Sequence, residues 1–275
     1  MNRPKVAAIQ MTSGTSVAAN LAEAERLIRE AAAGGAGLVV LPETFAMMGQ
    51  RPEDQLALRE TDGAGPLQSF LARVAAQVRV WLVGGTIPLA AVDPDRVRAA
   101  CLVFDDRGRR VARYDKIHLF DVCVPGADEQ YRESATIESG DQVVVIDSPW
   151  GRLGVAVCYD LRFPELFRRM QDAGLEVLAL PAAFTARTGQ AHWETLVRAR
   201  AIENLAFVVA AGQWGVHGNG RETFGHSLVV DPWGGVLAAL PRGCGCVVSD
   251  LDRDFQGAVR RQFPALAHRR LKCGD

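Results

Sequence analysis

Cys158, Glu43 and Lys116 are the side chains whose types and settings can be assembled into amide chemistry. Cys158 ends the β-branched run LGVAVC (153 to 158) and precedes YDLRFPE, a sharp segment that leads into a helix near Pro164. An elbow between strand and helix exposes its side chain. A helix N-terminus or an ammonium group nearby lowers a thiol pKa, and the thiolate is the attacking species. Taken alone, a cysteine ending an apolar strand is more often buried packing. None of His118, His192, His217, His226 and His268 stands in a papain-like setting, so another base is needed. Glu43 follows LVVLP, where the chain leaves a buried strand, and a carboxylate there can take the thiol proton and later activate water. Lys116 follows the strand VARYD, and its ammonium can stabilise the oxyanion of a tetrahedral intermediate. Alone, each of these two reads as a solvated surface charge.

Positioning them falls to an alternation of strands and helices. VAAIQM (6 to 11), a helix through Leu21, Ala24, Leu27, Ile28 and Ala31, and LVVLP (38 to 42) open the chain. A helix near 65 to 79 leads into VWLVGGT (80 to 86), and runs at 99 to 104 and 110 to 114 flank the hairpin signal DDRG. The second half repeats the plan through EVLALPAAF (176 to 184), a helix over 190 to 203, AFVVAAG (206 to 212), HSLVVD (226 to 231), GVLAAL (235 to 240) and CVVSDL (246 to 251). AGLVVLPETF (36 to 45) and GLEVLALPAAF (174 to 184) each close on Leu-Pro with a Phe three residues after the Pro. Two similar halves predict an α/β protein with two sheets face to face and helices outside, a four-layer αββα sandwich. Without a Ser- or Pro-rich linker between them, the halves are expected to form a single domain over 1 to 275, with 262 to 275 as a possible C-terminal tail.

Composition narrows the partners. A 48% hydrophobic content supports a sizeable core, and a net charge of -1 gives no basic footprint for nucleic acid. The N-terminus enters a short apolar run without a signal-peptide pattern, and no 18-residue apolar stretch occurs, so a cytoplasmic protein without membrane contact is expected. Cysteines 101, 123, 158, 244, 246 and 273 lack a disulfide framework, and most are expected as free thiols. Cys244 and Cys246 form a CxC without a completing ligand set, so structural packing is the favoured reading and no metal is expected.

LPETF (41 to 45), YDKIHLF (114 to 120) and CYDLRFPE (158 to 165) together resemble the three motifs of the carbon-nitrogen hydrolase, or nitrilase-like, superfamily. The resemblance runs from Val6 to Arg270, and it implies the αββα fold with neither cofactor nor metal. It puts the catalytic triad on Glu43, Lys116 and Cys158, and a second, positioning glutamate on Glu133, with Glu129 close enough to compete. It also adds the Tyr159 backbone N–H to the oxyanion site.

KIHLFDV, YRES, GQAHWE, RARAIEN, FGHS and VVDPWG resemble the branch holding deaminated-glutathione amidase and omega-amidase. The implied reaction is hydrolysis of a non-peptide amide through a thioester, releasing 2-oxoglutarate and cysteinylglycine. Omega-amidase action on 2-oxoglutaramate, nitrile hydrolysis, hydrolysis of another small amide and a non-catalytic binding scaffold are the alternatives. An anionic substrate end calls for a cation, and Arg162 is the candidate, against an equal case for a structural ion pair. Phe184, Thr188, His192 and Trp193 fall on the expected pocket side, with packing as the alternative for the last two and Glu194 placed to orient His192. The Arg-rich face of 198 to 203 is ordinarily solvated, but by resemblance it marks a homo-oligomer contact.

Overall fold

A computed structural model describes residues 4–125 and 129–271, which leaves Cys273 and the end of the 262 to 275 tail outside the described residues. In chain order, β1 (Lys5–Gln10), α1 (Val17–Ala33) and β2 (Ala36–Val40) are followed by α2 (Asp54–Ala57), α3 (Pro66–Val78), β3 (Trp81–Val83) and β4 (Ile87–Ala90). β5 (Val97–Phe104) and β6 (Arg110–Asp115) then pair antiparallel around the anticipated turn, and β7 (Asp121–Cys123) pairs with β8 (Gln130–Arg132) in a small sheet. The second half holds β9 (Val145–Ser148), β10 (Gly151–Val155), α4 (Pro164–Asp172), β11 (Val177–Ala182), α5 (Ala186–Asn204) and β12 (Phe207–Gly212). It closes with the hairpin of β13 (Trp214–Val216) and β14 (Glu222–Phe224), then β15 (Ser227–Val230), β16 (Val236–Leu240), β17 (Gly245–Asp250) and α6 (Arg253–Gln262).

Among the described residues these strands form two large sheets, one ordered β17-β1-β2-β3-β5-β4 with β6 on β5, the other β16-β15-β12-β11-β10-β9. The chain thus has the α/β architecture of two sheets between helical layers. Residue parity explains it. Val6, Ala8, Leu38 and Val40 join a core with Val155, Ala179 and Val209 of the second sheet, whereas Ala7, Ile9, Val39 and Leu41 face Leu27 and Ile28 of α1 and Leu71 and Val74 of α3. Strands apolar on both faces bury both, as mainly parallel central strands do. On the far side, Phe167 of α4 and Trp193 and Val197 of α5 complete the second sheet's cover.

One element departs from the two-halves reading. β17 lies antiparallel to β1, with Lys5 opposite Asp250, so the last strand of the second half completes the first sheet. α6 was not anticipated and takes residues up to Gln262. Its Gln256 side chain donates to Glu176 O and Leu205 O, and Arg260 donates to Leu205 O and Leu175 O, which fastens it to the second half.

The cysteine pair also departs from expectation. Cys244 is exposed and Cys246 half-buried, so the CxC sits at the surface and not in the core. No metal-ligand cluster occurs among the described residues, and no described helix is long and apolar enough to cross a membrane.

Candidate active site

Glu43 stands three residues beyond β2 on a tightly held turn. Thr44 has φ of 53°, a conformation that costs a non-glycine residue about 1–2 kcal/mol. The Thr86 hydroxyl accepts from Thr44 N–H at 2.9 Å, Ser13 donates to Phe45 O at 2.8 Å, and Gln213 donates to Glu43 O at 3.0 Å. Gly85, at φ of 52°, lets the exit of β3 pass beneath, since a Cβ there would lie 2.1 Å from Pro42 O. Strain held in place by surrounding hydrogen bonds is a common property of working sites.

Cys158 is strained in the same way, at φ of 50°, where β10 passes into a short 3-10 turn, Cys158–Arg162, ahead of α4. The fully buried Asp160 fastens this elbow to the Lys116 segment. It accepts from Val157 N–H at 2.8 Å, Tyr114 O–H at 2.6 Å, His118 N–H at 3.0 Å and His118 Nδ1 at 2.7 Å. Arg200 of α5 adds a second tie, for both Nε and Nη2 donate to Leu161 O, at 3.0 and 2.8 Å. Expected on a solvated helix face, Arg200 is buried because the elbow carbonyl has no other partner within the 3-10 turn.

These frames bring the thiol, the carboxylate and the ammonium together. Lys116 Nζ lies 2.8 Å from Glu43 Oε1 and 2.8 Å from both carboxylate oxygens of Glu133, and all three residues line one cavity with Cys158. The Cys158 thiol donates to the Glu43 carboxylate, and Ala183 N–H donates to its sulfur. Glu133 is further held by Phe120 N–H at 2.6 Å. Glu129 instead receives the Tyr131 hydroxyl at 2.8 Å, so of the two competing glutamates it is Glu133 that meets Lys116.

Electrostatics follow from two carboxylates sharing one cation out of water. Burial alone would pull the Lys116 ammonium down, but Glu133 and then Glu43 outweigh it and hold its pKa above the ordinary lysine value. Burial pushes Glu133 up, Lys116 pulls it back, and Glu43 adds to the rise. Burial first and Glu43 second push the Cys158 thiol well above the usual thiol range, against the pull of Lys116. This reverses the lowered thiol pKa expected of an elbow cysteine. At rest Cys158 is a thiol already hydrogen-bonded to a carboxylate, a geometry in which a proton can pass from sulfur to Glu43.

The remaining sequence candidates divide. The cavity, of about 610 Å³, is also lined by Tyr159, Arg162, Phe184 and Thr188. Arg162 lies over the rings of Phe184 and Tyr159, 5.2 and 5.8 Å from their centroids. His192 is not in this lining; its Nδ1 is 3.2 Å from Arg162 Nη1, behind the wall. Trp193 is core, with its indole N–H on His226 O. Glu194 pairs with His226 at 3.2 Å and Arg198 at 3.6 Å, so among these contacts it does not orient His192. Sequence reasoning missed Asp160, Gln213, Tyr131 and Arg221. Asp160 lies inside a quoted motif, whereas Arg221 sits in the polar turn GNGRE with no local sign of a role.

Comparison with known proteins agrees with this geometry. The carbon-nitrogen hydrolase family model matches residues 5–261. The chain is 40% identical over 272 residues to the deaminated glutathione amidase of Yersinia enterocolitica, covering 98% of this chain and 94% of that one. It is 38% identical to the human deaminated glutathione amidase over 270 residues, covering 97% and 82%. Among solved structures, Saccharomyces cerevisiae Nit3, a member of branch 10 of the nitrilase superfamily, superposes with a TM-score of 0.87 at 30% identity, covering 98% of this chain and 97% of that one. A family match over nearly the whole chain, on a fold that brings a cysteine, a glutamate and a lysine into one cavity, leads to one conclusion: the chain belongs to the carbon-nitrogen hydrolase family and is an amidase.

Proposed function

We propose that the chain, acting as one domain, hydrolyses deaminated glutathione to 2-oxoglutarate and cysteinylglycine, with Cys158 as nucleophile, Glu43 as base and Lys116 as oxyanion stabiliser. The observation that carries the roles is the buried contact set in which Glu43 meets both the Cys158 thiol and Lys116. Sulfur bonds to the amide carbon as Glu43 takes its proton, and the carbonyl oxygen becomes an oxyanion held by Lys116 and the Tyr159 backbone N–H. The C–N bond breaks as Glu43 delivers the proton to nitrogen, leaving a thioester. Water, deprotonated by Glu43, then attacks the thioester and the acid departs as the thiol is restored. Glu133 fixes Lys116 from the opposite side of its ammonium. Phe184, Thr188 and Arg162 form the substrate wall, and His192 acts through Arg162. No group outside the chain is called on, since each proton and bond is accounted for by these residues and water.

The substrate reading draws on the named relatives and on the cationic Arg162 in the wall, which suits an anionic oxo-acid end. Purified protein given deaminated glutathione and 2-oxoglutaramate separately, with 2-oxoglutarate formation followed, is expected to show the larger specificity constant on the former. A preference for 2-oxoglutaramate would move the protein to omega-amidase, and turnover of nitriles alone would move it to nitrilase.

A homo-oligomer is part of the same proposal. Ile202, Trp233 and Phe263 are large, exposed and mutually close, with the rings of Trp233 and Phe263 5.5 Å apart and Ile202 packed at Gly234. Sedimentation equilibrium is expected to give at least twice the chain mass of 29.7 kDa, and Trp233→Asp to lower it; a monomer at micromolar concentration would end the idea. Its place of action is the cytoplasm, which fractionation of expressing cells checks.

A further inference from the structure

Arg221 lines the cavity from the turn joining β13 and β14, and no carboxylate among the described residues forms an ion pair with it. Its Nη2 donates to Ala183 O at 2.5 Å, and its guanidinium lies 5.2 Å from the centroid of the Tyr131 ring. Its Nε is buried with no hydrogen-bond partner. A guanidinium has five N–H donors, so most of this one's capacity is unspent within the protein. Chance placement of a flexible side chain does not explain it, because the hairpin is pinned. His217 is buried between Ser13 O at 2.8 Å and the Thr223 hydroxyl at 2.7 Å, Trp214 N–H donates to Met11 O, and Phe224 N–H donates to Phe184 O.

The turn also has a definite side. Asn219 Nδ2 donates to Gly49 O at 2.7 Å, which seats the turn on the loop that follows Glu43. Glu43 is the residue that hands a proton to the departing nitrogen, so this loop borders the path of the leaving amine. Arg162 belongs to the elbow that carries the acyl group on Cys158, and its contacts are Tyr159, Phe184 and His192. Among the cavity's cations without an ion-paired carboxylate among the described residues, which also include Arg132 of β8, Arg162 stands on the elbow side and Arg221 on the side of the loop that follows Glu43.

We propose that Arg221 is a specificity-determining residue that binds a carboxylate on the leaving amine, so that the preferred amides release an amino acid or short peptide in place of ammonia. The proposal rests on the amidase reading of the Cys158 site. A planar guanidinium grips a carboxylate through two parallel N–H donors, and the face of the Tyr131 ring, 5.2 Å from its carbon, supports this one.

Two substrates sharing an acyl group separate this role from a structural one. Arg221→Met is compared with wild type on deaminated glutathione, whose leaving group ends in a carboxylate, and on 2-oxoglutaramate, which releases ammonia. The ratio of the two specificity constants is expected to fall about 10- to 100-fold, carried mainly by KM for the larger substrate, with Arg221→Lys in between. Equal losses on both substrates, or none on the larger, overturn the proposal. If wild type fails on deaminated glutathione, the substrate reading falls by itself, and Arg221 is then judged by calorimetry. Cysteinylglycine binding to Cys158→Ala protein should weaken when Arg221→Met is added, and unchanged binding rejects the role.

Discussion

Cys158→Ala should abolish hydrolysis, a loss on the order of 10⁶-fold by analogy with removal of a hydrolase nucleophile, while the protein stays folded. The size follows from the covalent step. Without sulfur there is no thioester, and what remains is a cavity that binds an amide beside a glutamate and an ammonium. The substitution removes one buried sulfur and leaves the elbow's ties through Asp160 and Arg200 in place, so the melting temperature should change little. Mass spectrometry of wild type quenched during turnover should find an adduct on Cys158 with the mass of the acyl group, absent from the variant. Glu43→Gln is expected to fall between the two, because the amide keeps the shape but has no basic oxygen; general-base loss costs about 10²–10⁴-fold. Persistent turnover by the Cys158→Ala protein would remove the thioester mechanism altogether.

Lys116→Ala should reduce both rate and stability, and its stability should depend on pH more steeply than that of wild type, in which Glu133 is already raised. The rate loss is expected at about 10²–10³-fold, the usual cost of removing an oxyanion donor. For stability, the buried ammonium is the sole cation recorded within salt-bridge distance of Glu43 and Glu133 among the described residues, and breaking such a buried set costs about 3–5 kcal/mol. The sign with pH follows from Glu133, whose pKa is raised by burial and by Glu43 and lowered by Lys116. Deleting the lysine removes the main lowering influence and leaves the Phe120 N–H to oppose burial and Glu43, so the folded variant holds protons that the unfolded chain releases near the ordinary glutamate value. Its stability is then greatest in mild acid and declines as pH rises through the elevated folded value. Melting temperatures of both proteins from pH 5 to pH 9 should converge toward the acid end and separate above it. A constant gap across that range would show that the lysine contributes packing and not charge.

Much of the site could be read from the order of residues because its chemistry is concentrated in three short segments. LPETF, YDKIHLF and CYDLRFPE name Glu43, Lys116 and Cys158, and the alternating apolar strands around them specify which faces are buried. Strand alternation is a local property with a period of two, so β1, β2 and β11 could be placed without knowing what they pack against. The likeness of AGLVVLPETF to GLEVLALPAAF likewise follows from two equivalent strands at the centres of two sheets.

Tertiary structure decided what depends on separation along the chain. Lys116 meets Glu43 across 73 residues and Glu133 across 17, and only that meeting separates Glu133 from Glu129. β17 crosses to the first sheet because its partner is β1, more than 200 residues earlier, which no periodicity reports. The rise in the Cys158 pKa is a balance of burial and two opposite charges, fixed by distances and absent from the motif itself. Arg200 and Arg221 look alike as letters, yet one is buried on the elbow carbonyl and the other faces the cavity with unspent donors. Sequence by itself determined the candidate reacting groups and the layers that carry them; their protonation and their pairing were set by groups that only folding brings within a few ångströms, where electrostatic interactions are strong.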